Sequence, residues 1–424
     1  PIFIITAVQT FMINRRTLLL GTASLAVGSI LSGCNRSSLA PLDVTLLEGA
    51  IPPEVLKKFR EERAVPVRFH PMMQPQKIFQ DLQRWQQQPE KLVRGSRLMF
   101  WREKERVPTA HDLVSLSDYW LQSAIANNLI APLNLPDEQL APLPTGWQQF
   151  VSRDAQGQIT PFDVANVWAA PYRVHNLVVV YRESQVKTLT PQAAGQPFQS
   201  WRDLLDPALQ GRIALPDHPN LVIGLLQKMQ TGRFNASFDS SEGSSASPAR
   251  LVERLNDQLA EPFAALNKQV KTYDANTALK ALVNEDLQVV VAWSGDVVTA
   301  LQRYRDLRAV VPEEGSLLSA DMWVRPQGAV AQGESMREVA QQWISFCWGE
   351  GPATQLSVAG KGVSPVFLGE DILSDLSTVP DALTGTFEKA WLSPTALQQS
   401  EPMLPLPDAL QAAYFELWEQ LRRA

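Results

Sequence analysis

Cysteine is nearly missing: the 424-residue chain has two, Cys34 and Cys347, so a disulfide framework is excluded and neither a CxxC pair nor a zinc-type spacing exists. Histidine is scarce as well. His70, His111, His175 and His218 stand singly, so no transition-metal centre and no cofactor are expected. Basic clusters are absent: with residues 1–33 set aside, 36 Lys and Arg face 44 Asp and Glu, a formal charge of −8. That balance excludes a nucleic-acid partner, because phosphate binding needs clustered cations to release counterions, and it suits a small cationic ligand. No GxSxG element, phosphate-cradling loop or HExxH occurs. Cys347 lies in the apolar run Trp343-Ile344-Ser345-Phe346-Cys347-Trp348, the setting of a buried, inert thiol. The chain therefore reads as a binder of a small molecule and not as an enzyme.

Long hydrophobic runs are scarce too. The apolar run from Leu18 to Leu31 falls short of the roughly 20 residues needed to span a bilayer. It comes after the charged Asn14-Arg15-Arg16 and ends in Leu31-Ser32-Gly33-Cys34, the layout of an export signal closing on a lipoprotein box. Small residues at 32 and 33 admit the peptidase, and the Cys34 thiol accepts the lipid. Residues 1–33 are thus expected to be a signal peptide, with Met12 just ahead of the arginine pair and residues 1–11 an upstream extension. Residues 34–42 form a tether. The arginine pair resembles a twin-arginine signal, but Asn14 and Leu20 depart from its pattern, so twin-arginine and general secretory export both stay open.

The chain has 45% hydrophobic and 19% charged residues, enough for two compact lobes with separate cores. Short apolar runs at Val44–Leu47, Leu177–Val180, Ile213–Leu215 and Val289–Ala292 read as strands buried on both faces. They alternate with helical patterns, the first opened by Pro53. Ile78, Phe79, Leu82 and Trp85 mark one face of a glutamine-rich helix, and Leu410, Tyr414, Leu417 and Leu421 that of the last. The class is α/β. Asn235 to Pro248, rich in Ser, reads as a surface loop, and Leu368 to Pro407 as largely irregular.

Several segments carry a resemblance by their order: Ile51-Pro52-Pro53-Glu54-Val55-Leu56-Lys57-Lys58-Phe59; His111-Asp112-Leu113-Val114 with Ser117 and Tyr119; Ala170-Pro171-Tyr172; and Ser200-Trp201-Arg202-Asp203-Leu204-Leu205-Asp206-Pro207 running on to Gly211-Arg212-Ile213. Trp293-Ser294-Gly295-Asp296, Val311-Pro312-Glu313-Glu314-Gly315 and Asp321-Met322-Trp323 complete the set. Together they resemble the spermidine/putrescine-binding proteins of polyamine ABC transporters. The resemblance implies a type II periplasmic binding protein fold, two α/β lobes joined by hinge strands and closing on ligand. By that analogy lobe one comprises 43–170 plus 322–365 and lobe two 171–321 plus 366–424.

It further implies a monomeric receptor, lipid-anchored on the periplasmic side of the envelope, that delivers a polyamine or related organic cation to an ABC permease. The ligand contacts implied are Ser117, Tyr119, Asp217, Trp293, Asp296 and Asp321. Carboxylates would hold each ammonium and aromatic faces the methylenes, at about 0.5–2 kcal/mol per cation–π contact. The chain departs from that pattern where the family has aromatics, at Leu47, Ala50 and Ser319. It departs again at His218-Pro219-Asn220-Leu221 and at Val174-His175-Asn176. Arg173 and His175, at the crossing between lobes, are compatible with an anionic or zwitterionic ligand or with a structural pairing. A different polar solute, or a sensor or scaffold that has lost transport, are the other readings the residues leave open.

Overall fold

Eleven strands form one mixed sheet whose two ends are built in opposite senses. The computed structural model describes residues 41–62, 66–94, 104–189, 197–236, 247–274, 277–332, 334–359, 362–369, 396, 398–404 and 406–423. Cys34 and most of 235–248 and 368–407 lie outside these residues. Chain order begins with β1 (Leu42–Leu47), α1 (Pro53–Glu62), β2 (Val67–Met72), α2 (Pro75–Gln87), the hairpin β3 (Glu90–Arg94) and β4 (Lys104–Pro108), β5 (Leu113–Ser117), α3 (Asp118–Ala126) and β6 (Ile130–Ala131). After α4 (Asp137–Leu140) and α5 (Thr145–Val151) comes β7 (Ala169–Arg182), then α6 (Glu183–Leu189), β8 (Ile213–Leu215), α7 (Pro219–Thr231), α8 (Pro248–Gln269) and β9 (Val270–Tyr273). The chain continues through α9 (Ala278–Val283), β10 (Val289–Trp293), α10 (Ser294–Arg303), β11 (Leu307–Val310), β12 (Leu317–Pro326), α11 (Glu334–Trp348), α12 (Glu350–Ala359), β13 (Glu401–Pro402) and α13 (Asp408–Arg423).

The expected apolar runs are strands, and Ile78, Phe79, Leu82 and Trp85 are the buried face of α2. The largest extension beyond an apolar run is in β7. Leu177–Val180 is the far half of β7, a single 14-residue strand that runs on from the Ala170-Pro171-Tyr172 segment. Its first half pairs with β12 and its second with β10 and β11. One core gathers around β1, β5 and the first half of β7 with α11, another around β8 and β10 with α7, α8 and α13. A third lies on the opposite face of β8 and β10, under α10. Leu410, Tyr414, Leu417 and Leu421 are the buried stripe of α13.

The segments that carry the family resemblance are largely scaffold. Ser200 and Asp203 form a reciprocal capping box at the turn Trp201–Leu205, satisfying two otherwise orphan amides. Glu314 accepts from the backbone N–H of Trp201 at 2.7 Å, and the Trp201 indole donates to the Gly315 carbonyl at 2.8 Å. Two family-like runs thus lock each other. Gly315 has φ +84°, and a Cβ there would lie 2.3 Å from the Gln399 backbone, so only glycine fits. Tyr172 stacks on Trp323 at 4.3 Å and shares a 2.8 Å hydrogen bond with Ser115. The Trp348 indole caps the Pro171 carbonyl at 2.7 Å. No helix among the described residues is long and apolar enough to cross a membrane.

Candidate functional site

Strand direction locates the site. β5 is antiparallel to β12, and β12 to β7, so β5 points along β7 and ends at Ser117, level with Asp321 and Arg173. β10 is antiparallel to β7 and ends at Trp293, level with Leu177. The carboxyl ends of β5 and β10 therefore point toward each other across four residue levels of β7, about 13 Å at 3.3 Å per residue. β1 is parallel to β5, and β8 to β10. The helices after these strands thus begin at the same two facing edges, the position where open α/β sheets hold ligands.

The floor of this gap is charged and closed. Arg173 donates to Asp321 Oδ2 through Nε at 2.9 Å and Nη2 at 2.6 Å, and His175 Nε2 lies 3.2 Å from the same oxygen. Both members of the pair are buried. Burial alone would raise the Asp321 carboxyl; Arg173 and His175 overcome it and hold the group well below the usual carboxylate range. Asp321 is thus already held by the guanidinium of Arg173, with His175 beside it. The backbone of 362–363 lies against these side chains: a Cβ at Gly362 would meet Arg173 Cγ at 2.5 Å and His175 Cε1 at 2.9 Å.

Ser117 and Tyr119 flank Asp118, which sequence reasoning passed over. Asp118 is buried, accepts from Ser117, Ser319 and the Tyr119 amide, and is pushed up to about 7 by burial against these hydrogen bonds. An acid between Ser117 and Tyr119 gives little sign of this; the signal was its place at the first turn of a helix after a buried strand. Tyr119 leaves α3 and packs on the core formed by α7 and α13. Its hydroxyl accepts from Gln411 at 3.2 Å, and its ring meets His218 edge-on at 6.0 Å.

Asp217 pairs with Arg422 at 2.8 Å on an exposed edge. Trp293 is half-buried against the same core as Tyr119. Ser294 accepts the Asn176 backbone N–H at 3.2 Å, tying the start of α10 to the middle of β7. Asp296 is exposed in the first turn of α10, close enough to Arg173 to favour its charge. The structure thus gathers Ser117, Tyr119, Trp293, Asp296 and Asp321 along the facing edges, with Asp217 turned to the side. At the end of β1, Leu47 and Ala50 present aliphatic side chains.

His111 and Asp112 belong elsewhere, at the start of β5. His111 is 2.6 Å from Thr45 Oγ1 and stacks on His70, while Asp112 accepts the Asp43 backbone N–H at 2.7 Å. A cavity of about 930 Å³ lies beside α5, and its described lining, from Leu143 and Trp147 to Leu368 and Pro402, has no charged residue. A charged solute finds no ionic partner among those residues. Cys347 is fully buried, and burial pushes its thiol far up, which suits packing and not nucleophilic attack.

Known proteins share this fold. A family model described as bacterial extracellular solute-binding protein matches residues 109–382. A spermidine/putrescine ABC transporter substrate-binding protein from Streptococcus pneumoniae superimposes with a TM-score of 0.65 at 17% identity, over 90% of this chain and 98% of its own. The TpPotD lipoprotein of Treponema pallidum gives 0.61 at 12% identity, over 91% and 100%. A periplasmic binding protein from Actinobacillus pleuropneumoniae with fructose-6-phosphate bound gives 0.52 at 15% identity, over 91% and 99%. The fold is the two-lobed one of periplasmic binding proteins. A search of curated proteins gives no match.

Proposed function

Because the chain belongs to the bacterial extracellular solute-binding protein family, we propose that it captures a small organic cation between its facing strand ends and hands it to an ABC permease. The observation that carries this reading is the opposition of the β5 and β10 carboxyl ends across the Arg173–Leu177 stretch of β7. The cation is a polyamine or a related amine. Asp296 supplies an exposed carboxylate and Trp293 an adjoining aromatic surface, the two groups an ammonium on a methylene chain requires. Solved relatives that carry spermidine and putrescine in their names support the class.

Closure is a rotation of 43–170 plus 322–365 against 171–321 plus 366–424 about β7 and β12. A bound amine therefore reduces the radius of gyration in solution scattering and raises the melting temperature through mass action. Saturating amine that gives neither effect counts against the clamp.

We also place the chain on the periplasmic side of the envelope, held by lipid on Cys34 after removal of residues 1–33. The Leu31-Ser32-Gly33-Cys34 box supports this. Cys34→Ala moves the protein from the membrane fraction to the soluble envelope fraction. Fractionation that is the same for both proteins rejects the anchor.

A further inference from the structure

Two ammonium groups need two available carboxylates, and of the acids Asp118, Asp217, Asp296 and Asp321 at the facing edges only one is available. Asp321 is taken by Arg173 and His175, and Asp217 by Arg422. Asp118 is buried under Ser117, Ser319 and the amides of Tyr119 and Ala320. Of these four acids, Asp296 is the one left exposed at the edge without an ion pair.

At the start of α7 the polar groups have a different character. Both polar atoms of the Asn220 amide are buried without a hydrogen-bond partner, as is Nδ1 of His218. The hydroxyl of Tyr119 stands beside them: burial raises it, with Gln411 and Asn220 opposing. Burial lowers His218 against the pull of Asp217, which favours a neutral imidazole. Here an amide, an imidazole and a phenol converge with no net charge; the phenol accepts from Gln411, while His218 Nδ1 and the Asn220 amide lack a geometrically good hydrogen bond. Buried groups of this kind cost free energy unless something pairs with them. A second ammonium would pair poorly, since it would lose its hydration without meeting a carboxylate. An uncharged amide, hydroxyl or ring nitrogen would satisfy the set.

We propose that Tyr119, His218 and Asn220 form a neutral pole of the cleft, which seats an uncharged hydrogen-bonding end of a singly charged amine and disfavours diamines. The inference rests on the organic-cation reading, with Asp296 and Trp293 taking the ammonium. β10 runs parallel beside β8, so the strand end that carries Trp293 neighbours the start of α7 with His218 and Asn220, and Tyr119 packs on the same core. In the sequence His218-Pro219-Asn220 stands as a departure and Tyr119 as an implied ligand contact; that the two meet, about a hundred residues apart, has no local sign.

The test is calorimetry on the full chain with two probes of equal length, 1,4-diaminobutane and 4-aminobutanamide. Wild type is expected to bind the aminoamide at least about tenfold more tightly, the scale of a charged group left without its partner. The nearly isosteric Asn220→Asp variant supplies the missing carboxylate and is expected to reverse the preference. Asn220→Leu is expected to weaken the aminoamide while leaving the diamine poor, and unchanged thermal melting of both variants confirms their folding. Tighter binding of the diamine by wild type, or a ratio unmoved by Asn220→Asp, overturns the neutral pole and leaves the cation receptor standing. Binding of neither amine by any of the proteins overturns the cation reading and the inference with it.

Discussion

Arg173→Met is expected to destabilise the protein by about 3–5 kcal/mol at pH 7, the cost of leaving one member of a buried ion pair without its partner. Asp321 is the group stranded. It is nearly inaccessible and receives two hydrogen bonds from the guanidinium, with His175 at the same oxygen. Chemical denaturation monitored by circular dichroism reads the loss directly. The double variant Arg173→Met with Asp321→Leu removes both charges, and it should recover most of the loss, because well-packed apolar groups often replace a buried pair at little cost. A double variant no more stable than Arg173→Met would show that the guanidinium acts through contacts other than Asp321.

The same pair sets a pH dependence. In wild type the Asp321 pKa is depressed, so its stabilising contribution is present above the unfolded value of about 3.9 and is lost as pH falls through the folded pKa. Without Arg173 the dominant effect of burial is to raise that pKa. Asp321 in the variant then protonates as pH falls, which relieves the stranded charge. The stability gap between wild type and Arg173→Met should therefore be widest near neutrality and narrow toward pH 3. A gap constant over that range would argue that the loss comes from packing and not from charge.

Much of the architecture was legible in the sequence because local pattern and fold agree there. Val289–Ala292 and Ile213–Leu215 are uninterrupted apolar runs, and they are interior strands. The segments with the strongest family character, Ser200–Pro207 and Val311–Gly315, are legible for a different reason. Their hydrogen bonds are to each other, so the residue types are set by packing and say little about ligand. The cleft is the harder part, since its properties come from pairings between distant segments. Asp321 reads as a ligand acid until β7 brings Arg173 beside it, 148 residues away in sequence. Asp217 reads as the remaining acid of its segment until Arg422 arrives from the last helix. The Arg173 pairing was open in the sequence as one of two alternatives; Asp118 had only its helix-start position as a sign, and the contact of Tyr119 with Gln411 had none.

Asp296→Asn is expected to weaken binding of a cationic solute by about ten- to a hundredfold, the roughly 1.5–3 kcal/mol of a charge-assisted hydrogen bond. Asp296 is exposed on the first turn of α10, where surface substitutions usually change stability by no more than about 0.5 kcal/mol. An altered melting point is therefore not expected, and the loss should be seen in binding alone. Trp293→Ala should cost a comparable amount, with one difference. Trp293 is half-buried against the core shared by α7 and α13, so part of its loss is repacking and will show as reduced stability of the unliganded protein. The contrast separates the two roles: a charge that meets the ammonium, and an aromatic wall that is also scaffold. Calorimetry with 4-aminobutanamide on both variants, paired with thermal melting, decides it. An affinity changed less than threefold by Asp296→Asn would remove this carboxylate from the site and would shift the search for the cation's partner to the far edge, beyond β1, where Glu48 is exposed.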